Sequence, residues 1–335
     1  MMETVSWVVR YVTLLPTVLL TSAWASAAIW FDGPATRWLA AGLAALPLLS
    51  TIGSLVWWRA GWRAFALALL VPWAVILWWN TIAPSNDREW IADVARLPEA
   101  TFDGSRVTIR NVRNFDYRSE TDFTESWEER TYDLDQIVGV DFYLSTWGSP
   151  WIAHTIVSWE FSDGQYLAIS IETRKEVGEV YSPVLGFFRE YELYYVVADE
   201  RDVIRVRTNH RGENVHLYRL KTRPATSRAL LVDYLEEVNR LSARPRWYNA
   251  MTHNCTTTIR RHAQHVAAGN PWNWRILVNG KLDEMGYERG VIDTSLPFDE
   301  LRRRSDITER AKAADADPEF SKRIREGLPA RVVAD

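Results

Sequence analysis

Three long apolar runs fill the first quarter of the chain. They cover roughly Tyr11 to Phe31, Trp38 to Trp58 and Ala64 to Ile82, and none contains a charged residue. About twenty residues is the length that a helix needs to cross a bilayer, and membrane helices tolerate prolines such as those inside these runs. We therefore predict three transmembrane helices within residues 1–83. The alternative is a buried helical hairpin of a soluble protein.

The charges between the runs predict their orientation. Arg10 precedes the first run, and Arg59 and Arg63 separate the second from the third, whereas Asp32 offsets Arg37 in the first loop. Basic residues favour the cytoplasmic side. The N-terminus is therefore expected in the cytoplasm of a bacterial cell, anchored in the inner membrane, and the chain after residue 83 in the periplasm.

Beyond a polar connector at 84–100, apolar and polar residues alternate. Asp163-Gly164 predicts a hairpin turn between two of these runs, and helical spacing predicts helices over Thr226 to Leu241 and from Cys255 towards Gly269-Asn270. The predicted strands are Arg106–Val112, Ile137–Leu144, Ile152–Phe161, Gln165–Ile171, Glu192–Ala198, Val203–Thr208 and Val215–Leu220. We expect an α+β catalytic domain over 101–295, with a mostly antiparallel sheet, and a charged, solvated helix or tail over 296–335.

Composition narrows the function classes. The chain has 335 residues, a net charge of −4 and a pI of about 6.0, so no basic excess points to nucleic acid. A single cysteine excludes an intramolecular disulfide. The 18 tryptophans, many of them among the apolar runs, are typical of a protein that contacts a lipid bilayer.

That one cysteine lies in a polar setting that favours chemistry over packing. Cys255 follows His253-Asn254 and precedes a run of threonines, at the predicted start of a helix. A helix N-terminus stabilises a thiolate and makes the thiol a nucleophile near neutral pH. Cys255 is therefore the candidate nucleophile.

A histidine from a strand is the expected partner of this cysteine. His262 lies seven residues further along the same helix, about 10.5 Å away, which is too far for a hydrogen bond to the thiol. His154, on a strand, can face the helix start. A two-residue Asp163-Gly164 turn would pair Thr155 with Glu172, and this places Glu172 near His154 as a group that orients the ring. The alternative is a solvent-facing Glu172.

No cofactor or metal is predicted. His262 and His265 are three residues apart with no acidic residue between them, and His210 and His216 fall on strands elsewhere. This pattern does not favour a zinc site.

Several motifs in order resemble one known family. They are Asn111-Val112-Arg113-Asn114-Phe115-Asp116-Tyr117-Arg118, Ala153-His154-Thr155, Ser170-Ile171-Glu172-Thr173-Arg174, Tyr191-Glu192-Leu193, Asp199-Glu200-Arg201-Asp202, Tyr248-Asn249-Ala250 and Asn254-Cys255-Thr256. Over about residues 85 to 270 the chain resembles the periplasmic domain of the Lnb-type bacterial lipoprotein N-acyltransferases. The family's lipoprotein-modifying members differ in carrying their membrane helices after this domain.

The resemblance implies a circularly permuted papain-like fold, akin to NlpC-type hydrolases and lecithin:retinol acyltransferase. It implies Cys255 as nucleophile and His154 as base. Within the matching motifs, the residues that would bind substrate or support the site are Ser170, Arg174, Tyr248, Asn249 and Asn254.

The expected function is a membrane-anchored thiol acyltransferase. It would move a fatty acyl chain from a phospholipid donor, through a cysteine thioester, to the N-terminal amine of a lipoprotein acceptor. Two alternatives remain open. One is a cysteine hydrolase that cuts a peptidoglycan peptide amide or a lipid ester, and the other is a non-enzymatic envelope protein. An apolar groove beside Cys255 would favour lipid, and a polar cleft would favour peptide.

Overall fold

A computed structural model describes residues 9–57, 62–267 and 271–332. The chain divides into two compact units. The first comprises Met1–Ser85 with Ser182–Tyr191, and the second comprises Asn86–Tyr181 with Glu192–Asp335.

The first unit is helical. Its helices are α1 (Leu15–Asp32), α2 (Arg37–Val56) and α3 (Trp62–Trp79), and a π-helical turn leads into α1. The stretches Val12–Asp32 and Arg37–Val56 are long and apolar enough to cross a membrane, with mean hydropathies of 1.6 and 1.9. Leu20, Trp38 and Val56 are among their large apolar side chains that are exposed.

The third predicted span is shorter than expected. Its apolar helix ends at Trp79 instead of Ile82, and the apolar stretch Arg63–Trp79 is shorter than the two stretches that are long enough to cross a membrane. The residues that the structure describes therefore contain two candidate spans, and the multi-pass topology remains a prediction. Trp58 and Arg59, on which that prediction partly rests, lie outside the described residues.

The short segment Ser182–Tyr191 belongs to the first unit because it packs on these helices. The Asp32 carboxylate accepts hydrogen bonds from Trp79 Nε1 (2.5 Å) and from the Arg189 backbone N–H (3.0 Å). The Arg189 guanidinium lies 3.8 Å from the centre of the Trp79 ring, and Phe188 packs on Phe31. A loop inserted between two strands of the second unit is thus held at the ends of α1 and α3.

The second unit is built around a mixed sheet. Within the described residues its eight strands are β1 (Glu99–Asp103), β2 (Arg106–Arg113), β5 (Trp127–Asp133), β6 (Ile137–Thr146), β7 (Ala153–Phe161), β8 (Tyr166–Arg174), β9 (Glu192–Ala198) and β10 (Asn214–Arg219), while β3 (Asp116–Tyr117) and β4 (Phe123–Thr124) form a separate hairpin. The strand order in the sheet is β1-β2-β9-β8-β7-β6-β10, and β5 pairs with β2. Neighbouring strands are antiparallel except for β2 and β9, which are parallel. The predicted α+β class is confirmed.

The predicted strand Val203–Thr208 is wrong. The chain forms the short helix α4 (Glu200–Val203) and then a π-helical turn. Asp199 caps α4 by accepting from the Arg201 backbone N–H. The alternation of polar and apolar residues was misleading because Arg205 and Arg207 are buried as ion pairs, so both faces of this stretch are inside the protein.

The β7–β8 hairpin is shifted by one residue from the predicted register. Phe161 and Gln165 close a three-residue loop, in which Gly164 takes the positive φ (88°) that such a loop requires. Ile156 therefore pairs with Ser170, the last pair before β7 and β8 separate. Continued by two residues, this register sets Glu172 opposite His154.

Helices cover both faces of the sheet. On one face α5 (Pro224–Ala243) packs against Trp159, whose indole donates to the Ser227 carbonyl oxygen, and α6 (Cys255–Val266) lies beside it. On the other face the α4 region and the C-terminal segments bury side chains such as Ile156 and Val196. The remaining helices are α7 (Leu282–Glu288), α8 (Phe298–Ser305), α9 (Thr308–Ala313) and α10 (Phe320–Arg323).

The C-terminal segment is not the solvated tail that its charge predicted. Ile307, Phe320 and Ile324 are fully buried in the core. Arg325 reaches the buried carboxylates of Asp141 and Glu200. Charge density was a poor guide because several of these charges are paired inside the fold.

Candidate functional site

The turn before α6 determines where Cys255 lies. The Asn249 side-chain oxygen accepts hydrogen bonds from the backbone of Met251 and Thr252, which closes the turn. Asn254 is the N-cap: its side-chain oxygen accepts from Thr257 N (2.8 Å), and Thr257 Oγ1 accepts from Asn254 N (3.0 Å). This reciprocal capping box places Cys255 at the first position of the helix.

The Cys255 thiol is buried and acidic. Burial alone would raise its pKa, but the hydrogen bond and the charge of His154, together with hydrogen bonds from Thr155, lower the pKa to about 6. Tyr181 and Tyr248 lie close to the sulfur. Burial raises the pKa of each phenol, and the charge of Cys255 raises it further. The surroundings therefore favour a thiolate at neutral pH.

His154 is held on its other side by a serine. Its Nε2 is 2.7 Å from Ser170 Oγ, which leaves Nδ1 as the nitrogen that can meet the thiol. Ser170 Oγ also donates to Glu172 Oε1 (2.7 Å), and Glu172 Oε1 itself is 3.7 Å from His154 Nε2. The direct contact of the histidine ring is thus Ser170, and Glu172 acts on the ring through it.

Buried charges lie behind Glu172. Although burial would raise the pKa of Glu172, the Arg207 guanidinium and then His154 lower it overall. Arg207 is 2.8 Å from Glu172 and 3.1 Å from Glu213, which also accepts from Ser145 Oγ (2.5 Å). The carboxylate beside the histidine is consequently kept ionised.

The structure brings most of the predicted site residues together. His154, Ser170 and Glu172 form a chain of contacts that ends on Cys255, and Asn249 and Asn254 support the helix start. Tyr248, 9% exposed, lies near the sulfur. Arg174 does not join them. Its guanidinium donates to the Val94 and Ala95 carbonyl oxygens and to the Asn86 side chain, so it holds the connector against the sheet.

Four supporting residues were not predicted from the sequence: Thr155, Arg207, Glu213 and Asn279. Asn279 pairs with both backbone groups of Ala153 (2.8 and 2.6 Å) and donates to Thr256 Oγ1 (2.8 Å), so it ties β7 to the start of α6. Arg207 stood in a segment predicted as a strand. Of the four, only Thr155 was indicated by the sequence, because it is adjacent to His154.

Two cavities have lining residues that contact Cys255. One is an apolar groove of about 550 Å³, and the other is a polar pocket of about 360 Å³. Thr155 and Thr256 line the groove, whereas His154, Glu172, Arg207 and Tyr248 line the pocket. Because neighbouring strand residues point to opposite faces, Thr155 and His154 place the two cavities on opposite sides of the sheet. Cys255 contacts residues of both, at the point where β7 and β8 separate.

A second histidine cluster lies further along α6. His262 Nδ1 is 2.5 Å and His265 Nδ1 is 3.1 Å from Asp233 Oδ2, and His262 Nε2 is 2.7 Å from the Tyr195 hydroxyl. Burial lowers the pKa of His262 to about 4, despite Asp233. Asp233 is the acidic partner of both histidines. It lies on a different helix, α5, and the sequence between the two histidines therefore gave no sign of it. The three side chains could hold a metal ion, and in this structure both imidazoles contact the Asp233 carboxylate.

These residues place an acidic thiol beside a histidine whose ring is held from behind, which is the arrangement that nucleophilic thiol chemistry requires. Residues 123–280 match the family model described as the Lnb N-terminal periplasmic domain. The matched segment contains His154, Ser170, Glu172 and Cys255. No curated protein and no solved structure matches the chain. The match supports an Lnb-type envelope protein, and with the two candidate spans it indicates a membrane-anchored protein that carries a periplasmic domain.

Proposed function

We propose that the protein is a thiol acyltransferase that moves a fatty acyl chain from a phospholipid to an amine. The N-terminal amine of a diacylated lipoprotein is the acceptor that the resemblance to the Lnb-type lipoprotein N-acyltransferases favours. The observation that carries the proposal is the Cys255 thiol, whose pKa is about 6, beside a His154 ring held by Ser170. A buried cysteine used only for packing would have no need of such a partner.

The site residues suit each half of the transfer. The Cys255 thiolate attacks the ester carbonyl carbon, the C–O bond breaks, and the protonated His154 gives its proton to the departing lysophospholipid oxygen. The acceptor amine then attacks the thioester carbon. His154 takes the amine proton, an amide forms, and the C–S bond breaks to regenerate the thiolate. Dividing one difficult transfer into two steps is the advantage of a covalent intermediate.

The start of α6 supplies charge stabilisation for both steps. The backbone N–H groups of Cys255 and Thr256 stand in the first turn, where a helix offers no internal acceptor. They are available to the oxyanion that develops on the carbonyl under attack. The helix dipole adds to the same effect.

A permuted papain-like fold is consistent with this layout. His154 comes from a strand and precedes Cys255, which opens a helix lying against the sheet. The location we propose is the periplasmic face of the inner membrane. There the anchor raises the local concentration of both lipid substrates.

A cysteine hydrolase is the second candidate, and the polar pocket favours it. That pocket contains His154 with Lys175, Arg207 and Glu213, and such a lining suits a peptide. The apolar groove on the other side of the sulfur is better suited to a lipid chain. We place the acyltransferase first because a transferase uses both cavities.

The decisive test is an acyl adduct on Cys255. Protein extracted from membranes should carry one fatty acyl group in thioester linkage on the peptide that spans His253 to Arg260. Neutral hydroxylamine should release it. Cys255→Ala and His154→Ala should lack the adduct, the second because acylation needs the thiolate, and Cys255→Ser should retain at most a slowly formed ester.

The absence of any adduct on active protein would favour the hydrolase, since water would deacylate the enzyme. An acyl group found on another residue, with activity that survives Cys255→Ala, would contradict the mechanism altogether.

A further inference from the structure

We propose that the apolar groove beside α6 holds the acyl chain of the Cys255 thioester and limits its length. This inference rests on the proposed function and adds to it a binding site for the chain. It also assigns residues of α6 as determinants of which chain lengths are accepted.

One face of α6 forms a wall of the groove along nearly its whole length. Thr256, Ile259 and Ala263 line the groove and recur every three or four residues, which puts them on one side of the helix. Ala267, the C-cap residue directly after the helix, continues this wall. The stripe starts next to the sulfur, since Cys255 Sγ is 3.9 Å from Thr256 Oγ1. At 1.5 Å per residue, the wall extends about 16 Å from Thr256 to Ala267.

The facing walls are apolar as well. The main contributors are Phe142, Leu220, Ile276, Leu282, Met285 and Ile292. Two arginines, Arg260 and Arg289, also line the groove, and the aliphatic stem of an arginine can cover apolar surface while its charged end stays in water. The volume of about 550 Å³ lies within the usual range of small-molecule sites, about 300–1,000 Å³.

The lining of the groove and its place beside the sulfur identify its occupant. An apolar groove walled by a helix stripe that starts next to a nucleophilic sulfur fits an unbranched hydrocarbon chain attached to that sulfur. A peptide would bring backbone N–H and C=O groups that need hydrogen-bond partners, which a wall of aliphatic side chains does not provide.

The residues that flank the groove point to a bilayer as the source of the chain. Trp272, Trp274 and Leu277 are exposed by 61%, 49% and 53%, and they neighbour the groove residues Pro271 and Ile276 in sequence. Exposed tryptophans are favoured at the membrane surface, where an amphipathic ring meets both lipid and water. A chain can therefore pass from the lipid into the groove.

Two substitutions along this wall test whether the groove limits the length of the acyl chain. Ala263 lies about 12 Å and Ala267 about 18 Å along the helix from Cys255. A phenylalanine at either position should block the groove at that depth. Ala263→Phe should therefore restrict the adduct to shorter chains than Ala267→Phe does, and both should exclude the longest chains that the wild type accepts. Gln264→Phe puts the same ring on an exposed position outside the groove and should change nothing.

The full-length protein in detergent would be incubated with mixed vesicles of phosphatidylglycerols with saturated chains of increasing length. The acyl groups released from Cys255 by hydroxylamine would be identified by mass spectrometry. We expect the ratio of long to short chains to fall about tenfold or more in Ala263→Phe, which corresponds to about 1.4 kcal/mol. Rapid alkylation of Cys255 by iodoacetamide at pH 7, where the thiol of the folded site is ionised and an ordinary thiol with a pKa near 9.0 is not, reports in each variant that the site is folded.

The outcomes separate the two proposals. If the wild type forms a thioester but the three phenylalanine variants show one chain-length profile, the groove proposal is overturned and the acyltransferase stands. If the wild type alkylates normally yet forms no thioester with any lipid, the proposed function fails and the groove assignment fails with it. If Gln264→Phe loses long chains to the same extent as Ala263→Phe, the proposal that the groove limits chain length is also overturned.

Discussion

At the scale of single residues, the reactivity of Cys255 is a balance between burial and a histidine. Burial opposes the thiolate, and the hydrogen bond and charge of His154 outweigh it. Because a thiol reacts as its thiolate, the reactivity of Cys255 depends on pH. Whatever the acceptor, the site should work above the pKa of the thiol and lose activity below it.

Alkylation of Cys255 by iodoacetamide should therefore rise as the pH increases through about 6 and level off above that, whereas an ordinary thiol has a pKa near 9.0. His154→Ala should move the midpoint upward, because burial is then opposed only by the hydrogen bonds from Thr155, and should lower turnover by about 10²–10⁴-fold. His262→Ala is the control. An equal shift of the midpoint in that variant would show that the wrong histidine was assigned.

Ser170 is the residue that positions the ring. Ser170→Ala removes the 2.7 Å contact with His154 Nε2. Loss of a hydrogen bond of about 0.5–1.5 kcal/mol should lower turnover by roughly tenfold. The pH midpoint of Cys255 alkylation should rise with it, while the melting temperature stays close to wild type. A lower melting temperature with an unchanged pH midpoint would assign Ser170 a structural role instead.

At the scale of an element, the reactivity of Cys255 depends on how α6 begins. The capping box of Asn254 and Thr257 fixes the first turn and thereby the direction of the thiol and of the N–H groups beside it. Losing the cap should therefore affect stability and chemistry together.

Asn254→Ala should lower the free energy of unfolding by about 1 kcal/mol, the usual contribution of an N-cap side chain. It should also slow Cys255 alkylation at pH 7. Asn254→Ser keeps a capping oxygen and should restore most of both properties. Denaturant titration in detergent and alkylation kinetics measure the two effects. If Cys255 is alkylated at the normal rate in Asn254→Ala, the cap does not control the reactivity of the thiol.

At the scale of the whole molecule, the C-terminal segment closes the second unit by bringing a cation to buried acids. Arg325 donates to Asp141 and Glu200, both fully buried, and its guanidinium lies over the Tyr166 ring. A buried carboxylate left without its partner is costly.

Arg325→Met should lower the free energy of unfolding by about 3–5 kcal/mol. Arg323→Met, two residues away, is the matched control. Its ion pairs with Asp317 and Glu326 are on the surface, so no measurable change is expected. Denaturant titration of tryptophan fluorescence in detergent compares the two. Similar stabilities would mean that the C-terminal segment contributes little to the fold.

The topology also belongs to this scale. A reporter that works only in the cytoplasm, fused after Asp335, should be silent if three spans follow a cytoplasmic N-terminus. A strong cytoplasmic signal would contradict that topology. It would favour the two spans that the described residues support.

The sequence by itself determined the features that depend on local chemistry. The apolar runs, six of the seven predicted strands and the helix that starts at Cys255 all followed from periodicity, capping residues and the surroundings of one cysteine. Such signals are carried by neighbours in the chain, so they can be read without the fold. The catalytic roles of Cys255 and His154 stay predictions, although the two side chains do meet.

Only the tertiary structure decided which side chains meet. A one-residue change in the hairpin loop placed Ser170 in direct contact with His154 and Glu172 behind it. Arg207 and Arg325 became buried partners of distant acids, in segments predicted as a strand and a solvated tail. The groove is formed by residues from five separate stretches of the chain. These contacts depend on distances between parts far apart in sequence, and those distances exist only once the sheet has paired and the helices have packed on it.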